Sequence, residues 1–284
     1  MPRDSPLNDI DPPPKPRQDN GPAPVAPDPL WKFSDDLIMG LRFFSRLPTG
    51  ERDFEKPDLN RMALGLPFTS TVIGLLPALL MMGACWLGIP SYFAAALGVV
   101  AMLVATGAMA DDAIADAADG LFGGATVERR LEIMKDSRHG TYGVAALALY
   151  LIMRVTAVGA VAVTNPLAAG GIWLAATVIA RSGSLWLSLD LPAARVGGAS
   201  ASVGRLSRQH FAIGAVLAAL LGFVLAAPFT SILAVILALL AAAGLALAWS
   251  TLCRKLIGGQ TGDLIGALHA LIEIAALTML LIFA

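Results

Sequence analysis

From Ala63 to Met109 the chain reads ALGLPFTSTVIGLLPALLMMGACWLGIPSYFAAALGVVAMLVATGAM, without one Asp, Glu, Lys or Arg. A membrane-spanning helix needs roughly 20 apolar residues, so a run of this length must hold at least two crossings. Gly88-Ile89-Pro90 divides it, because proline stops one helix and can start the next. Five more apolar blocks follow downstream. Together the spans fall near 64–87, 91–110, 144–163, 166–187, 210–227, 229–250 and 264–284. The expected fold is all-α, a polytopic transmembrane bundle of about seven spans.

Composition agrees with that reading. Of 284 residues, 56% are hydrophobic and 14% charged, and the mean hydropathy is +0.71. A soluble domain carries about 25% charged residues, so this chain lacks the polar surface to enclose a water-soluble globule. The formal net charge of -1 says nothing about a nucleic-acid partner, but no basic stripe with interleaved aromatics appears, which sets that class aside. Cys85 and Cys253 sit in or beside spans far apart and form neither a disulfide framework nor a metal-ligand spacing. Residues 1–30 are dense in proline and poor in large apolar side chains, which predicts a disordered tail without a signal-type apolar core. Residues 31–284 then form the membrane-embedded domain.

The basic residues set the orientation. Of 20 Lys and Arg, all but Arg154 and Arg181 lie in the N-terminal region or the long connections, and the short proline-bearing loops carry none. That asymmetry predicts a cytoplasmic N-terminus and cytoplasmic long loops in a multi-pass inner-membrane protein. Asp36 to Pro48, rich in Phe and Leu with two Arg, is too short to cross and reads as an interfacial helix on the inner leaflet. Arg154 falls about ten residues, or roughly 15 Å, into the third span. A charge at that depth must face the bundle interior and find a partner, in a structural or a functional role. Glu273 is an acid at similar depth in the last span. Arg181 lies near a span end, where snorkelling alone would account for it.

The chemistry-bearing stretch is Ala110-Asp111-Asp112-Ala113-Ile114-Ala115-Asp116-Ala117-Ala118-Asp119-Gly120. At 100° per residue, Asp112, Asp116 and Asp119 share one helix face within about 60° of arc, and Asp111 points roughly 100° away. Like charges in register repel unless they are protonated or bridged by a cation. Hard carboxylate oxygens at this spacing suit Mg²⁺, which commonly joins protein carboxylates to substrate phosphates. A solvated membrane boundary would need only one or two charges of any kind. Further on, Asp136-Ser137-Arg138-His139-Gly140 leads into the third span, with Arg138 able to clamp a phosphate and His139 read as a loop residue. Gly258-Gly259-Gln260-Thr261-Gly262-Asp263 opens the last span, as either a backbone nest for an anion or a helix cap.

These residues together resemble the cobalamin synthase family, the adenosylcobinamide-GDP ribazoletransferases. The resemblance runs from about Trp31 to the C-terminus. It rests on Phe44-Ser45-Arg46-Leu47-Pro48, the Asp112/Asp116/Asp119-Gly120 segment, the run from Leu131 to Gly140, Arg181, and Gly259-Gln260-Thr261-Gly262-Asp263. There are two departures. The family commonly has His-x-Asp-Gly where Ala110-Asp111-Asp112-Ala113 stands here, and often an additional Glu where Ala270 stands.

The resemblance implies a Mg²⁺-dependent transferase of late cobalamin biosynthesis. Its substrates would be adenosylcobinamide-GDP and α-ribazole or its 5′-phosphate, and its products adenosylcobalamin or its 5′-phosphate plus GMP. Asp112, Asp116, Asp119 and Asp263 would supply metal ligands, and Asp116 or Asp119 the general base. Arg138 and Arg181 would neutralise diphosphate oxygens. Arg46, Asp136, Ser137, Gly140, Arg154, Gly259, Gln260, Thr261 and Glu273 would bind substrate. The lipid bilayer and other cobalamin-assembly enzymes are the expected partners.

Three rival readings fit less of the chain. A membrane CDP-alcohol phosphotransferase also spaces Asp along a helix, but its Asp-Gly-x-x-Ala-Arg stretch is absent. A prenyltransferase needs a second Asp-rich motif. A secondary transporter usually shows repeated halves, and none is found here.

Overall fold

The computed structural model describes residues 33–50, 57–136, 138–195 and 204–282. The Pro-rich tail and Ser137 lie outside them. The chain forms α1 (Phe33–Phe44), α2 (Leu59–Trp86), α3 (Ser91–Thr106), α4 (Met109–Gly123), α5 (Val127–Ile133), α6 (Thr141–Thr164), α7 (Pro166–Ser184), α8 (Trp186–Asp190), α9 (Arg208–Ala226), α10 (Ile232–Leu256) and α11 (Gly262–Leu281). No strand occurs among the described residues.

Six of these helices, counting α7 with α8 as one, are long and apolar enough to cross a bilayer. The seventh span exists only as the pair α3 and α4, which meet at 86°. The expected uninterrupted span 91–110 is therefore corrected. Its helix ends at Thr106 because Gly107 (φ 63) and Ala108 (φ 57) both adopt the left-handed conformation. Glycine tolerates that geometry, whereas an alanine there costs about 1–2 kcal/mol. The acids after the break thus occupy their own helix, packed against α6 and α11.

Local chemistry explains the helix starts. Asn165 accepts from the backbone N–H of Leu167 and Ala168, and Pro166 takes the first helical position, where no N–H is needed. Ser207, Ser231 and Thr261 cap α9, α10 and α11 in the same manner. The sixth expected span, 229–250, runs instead from Ile232 to Leu256, with Arg254 and Lys255 in the last turn complementing the helix dipole. α1 covers Phe33–Phe44, overlapping the segment read as an interfacial helix. It packs on the first half of α2, where a Cβ on Gly40 would meet Thr69 Oγ1 at 2.6 Å, and buried Asp36 pairs with Arg61 at 2.7 Å.

α7 is the axis of the bundle, with 78% of its apolar window buried. Its small residues let neighbours approach closely: a Cβ on Gly171 would stand 2.7 Å from the Leu225 carbonyl of α9. One core gathers around Trp173, Met81 and Met102, and another around Leu187, Leu264 and Leu268. On the outer faces of α9 and α10, Leu220, Val224, Ile236 and Leu240 are exposed, as lipid-facing positions should be.

The polar connections collect at one end. Asn60 bonds the Arg205 carbonyl and the Ser207 amide, tying α2 to the start of α9. Arg130 reaches the Leu256 carbonyl at 2.9 Å. A parallel bridge joins Ala193 to Gln260. That end carries the site.

Candidate active site

α4 sorts its four acids by direction. Asp112 and Asp116, one turn apart, face the loop before α6, where His139 stands 3.7 Å from Asp112 Oδ1 and 3.6 Å from Asp116 Oδ1. Asp112 is 63% exposed and Asp116 15%. Each of the three residues offers a ligand atom within 4.8 Å of the other two. Sequence reading missed His139 because a loop position shows no helical periodicity.

Asp119 does different work in this structure. Its two oxygens accept from the backbone N–H of Gly140 (2.6 Å) and of Gly143 (2.8 Å), so it caps the first turn of α6. This explains the glycine spacing. A Cβ on Gly140 would lie 2.7 Å from Asp119 Oδ1, and one on Gly143 would lie 2.9 Å from the Ala115 carbonyl. Asp119 thereby fixes the loop that presents His139.

Asp111, pointing away from the other acids, meets Arg154 Nη1 at 3.3 Å. Arg154 also donates to Glu273 through Nε (3.2 Å) and Nη2 (2.8 Å). Glu273 accepts further from Tyr150 Oη at 2.6 Å and Trp173 Nε1 at 2.9 Å, while His269 Nε2 lies 3.7 Å away. Arg154 also bonds the Tyr150 hydroxyl and stands over its ring, 4.4 Å from the centroid. The partner that depth demanded of Arg154 is thus Glu273, reinforced by Asp111.

The remaining sequence candidates scatter around this core. Arg138 is 87% exposed and forms a two-point pair with Asp136, at 2.7 and 3.0 Å. The hydrogen bonds from Arg138 hold the Asp136 carboxyl at about 2. Arg46 packs over the α3–α4 break: its amide donates to the Ala105 carbonyl, and a Cβ on Gly107 would touch its Nε at 2.7 Å. In the Gly258–Asp263 turn, the Gln260 amide donates to the Pro192 carbonyl at 2.8 Å and Thr261 caps α11. A Cβ on Gly259 would stand 2.7 Å from the same carbonyl. The Oε1 of buried Gln260 has no hydrogen-bond partner among the described residues. Asp263 is held by Thr261 Oγ1 at 3.4 Å.

A cavity of about 280 Å³ opens between α1, α4, α7 and α11. Asp112, Asp263, Arg181 and His269 line it, together with Phe43 and Phe44. Arg181 is buried, and its guanidinium lies 6.0 Å from the Phe44 ring centroid. The cavity therefore offers the exposed Asp112, the half-buried Asp263, an arginine and an aromatic wall. Two carboxylates beside an imidazole can hold a divalent cation or move a proton.

Comparison with known proteins bears on this geometry. A family model described as cobalamin-5-phosphate synthase matches residues 36–281. The adenosylcobinamide-GDP ribazoletransferase of Azorhizobium caulinodans is 40% identical over 253 residues, covering 88% of this chain and 96% of the relative. That of Xanthobacter autotrophicus is 42% identical over 265 residues, covering 89% and 98%. That of Mesorhizobium japonicum is 39% identical over 244 residues, covering 86% and 91%. No solved structure matches the chain.

Proposed function

The chain belongs to the cobalamin-5-phosphate synthase family, and on that premise we propose that it is an adenosylcobinamide-GDP ribazoletransferase of cobalamin biosynthesis. It joins phosphocobinamide to α-ribazole or its 5′-phosphate and releases GMP. A ribose hydroxyl oxygen bonds to the phosphorus nearest cobinamide, the bond from that phosphorus to the bridging oxygen breaks, and GMP leaves with the oxygen. The hydroxyl proton passes to a carboxylate. Transfers of this type depend on positioning and charge neutralisation more than on covalent assistance from the protein.

The observation that carries the reading is the convergence of Asp112, Asp116 and His139, of which Asp112 also lines the cavity. These residues fit a divalent cation, since two of the three donors are hard carboxylate oxygens of the type Mg²⁺ prefers. When bound there, Mg²⁺ supplies charge neutralisation for the substrate diphosphate. Asp116, the less exposed of the pair, accepts the hydroxyl proton, with His139 beside it. Asp119 is committed to two backbone amides and serves to hold the His139 loop. Arg138, on its exposed Asp136 support, is free to swing to a diphosphate oxygen. The basic residues of the polar end support an orientation in which the site faces the cytoplasm.

The test uses purified protein in detergent with adenosylcobinamide-GDP and either acceptor, with and without Mg²⁺. GMP and corrinoid product should appear in equal amounts and only with the metal. Full Mg²⁺-dependent turnover in both Asp112→Asn and Asp116→Asn would remove the assigned metal site.

A further inference from the structure

Among the described residues no acid lies within ion-pair distance of the buried Arg181 guanidinium. Arg181 is 4% exposed, its guanidinium makes no hydrogen bond or ion pair with any described residue, and its Nη1 is fully shielded without a partner. A guanidinium enclosed in a membrane bundle is costly unless an anion meets it. Because Arg181 lines the cavity, that anion can be a ligand.

Both substrates in the proposed reaction carry phosphate, and three features separate them. The first is size. A cavity of about 280 Å³ lies at the lower limit of ligand pockets, which run from about 300 to 1,000 Å³, so it admits a mononucleotide and not a corrinoid. The second is the wall. Phe43, Phe44, Leu59 and Leu185 form one apolar side of the cavity, on which the flat ring of a benzimidazole can lie, while the polar lining residues such as Asp263 and His269 stand elsewhere around it. The third is charge. A diphosphate beside Asp112 and Asp116 would share a cation with them, whereas a phosphomonoester further in meets the guanidinium of Arg181.

We propose that this cavity is the acceptor site and that Arg181 seats the acceptor's phosphomonoester. The ring lies against Phe43 and Phe44, and the ribose turns its reacting hydroxyl toward Asp112 and Asp116. This rests on the transferase reading above. It makes Arg181 the residue that selects α-ribazole 5′-phosphate over α-ribazole, in a role apart from the donor diphosphate.

The experiment measures kcat/KM for both acceptors at saturating adenosylcobinamide-GDP, in wild type, Arg181→Gln and Arg181→Lys. Wild type should prefer the 5′-phosphate. In Arg181→Gln the ratio of the two kcat/KM values should fall by about 10- to 100-fold, the worth of a charge-assisted contact, and Arg181→Lys should restore part of it. An unchanged ratio, or a raised KM for the donor alone, places Arg181 on the diphosphate and overturns the proposal. So does a wild-type enzyme that does not distinguish the acceptors, a result independent of how any variant folds. If wild type makes no corrinoid product yet binds the 5′-phosphate more tightly than the nucleoside by calorimetry, the transferase reading falls and the phosphate seat stands.

Discussion

Two buried arginines, Arg154 on α6 and Arg181 on α7, sit in the same membrane bundle under opposite terms. Arg154 meets Glu273, Asp111 and Tyr150, so its charge is met from within the chain. The Arg181 guanidinium makes no direct hydrogen bond or ion pair with these and lines a cavity. The contrast teaches how to read a buried charge: one whose partners are built in is part of the scaffold, and one whose partner is missing from the chain is a place for a ligand. The acids divide the same way. Asp119 is satisfied by two amides, while Asp112 and Asp116 face one another and His139.

The largest expected effect breaks the satisfied side. Glu273→Ala leaves Arg154 and the Trp173 indole facing a void, and removing one partner of a buried pair costs about 3–5 kcal/mol. A thermal melt in detergent should show a large loss of stability. An unchanged melting temperature would mean that the network does not hold the fold.

Next in size comes a loss confined to turnover. Asp116→Asn should lower kcat by about 10²- to 10⁴-fold, the range for removing a positioned acid or base, with little change in melting because its carboxylate supports no other element. An equal fall in melting temperature would move Asp116 to the scaffold class. Gly143→Ala tests the cap that presents His139. The added methyl meets the Ala115 carbonyl and the Asp119 carboxylate, and overpacking of this kind costs about 1–3 kcal/mol. Melting should fall by that amount, and turnover with it.

The sharpest contrast is smaller. Arg181→Met removes a buried charge that no described acid contacts directly, so stability should hold or rise by about 0.5–2 kcal/mol, the reverse of Glu273→Ala. A destabilised Arg181→Met protein would make the two arginines alike.

The smallest effect belongs to the exposed Asp136–Arg138 pair. The Asp136 carboxyl is depressed from 3.8 to about 2, so any contribution is complete above the unfolded value and is lost as pH falls toward 2. Melting temperatures of wild type and Asp136→Asn should coincide at neutral pH, as expected of a surface pair.

Much of this was legible in residue order. Span number and placement follow from unbroken apolar runs, and the breaks between them from the short proline-bearing connections. The Asp register was legible too: Asp112 and Asp116 share a face while Asp111 turns away. The break at Gly107-Ala108 was not, since nothing about an alanine announces a left-handed backbone. Nor was His139, whose approach to α4 depends on Asp119 gripping two amides across the chain. Fold and family could be read from the sequence, but the division of labour among the acids could not.

Sequence alone determined that this chain enters a membrane and carries acids in register, because hydropathy and helical periodicity are properties of neighbours along the chain. Only the tertiary structure decided which charges are spent on one another and which remain available. That outcome depends on how closely α4, α6, α7 and α11 approach, and on the positions of residues such as Arg154 and Glu273, which lie far apart along the chain and touch only in the folded bundle.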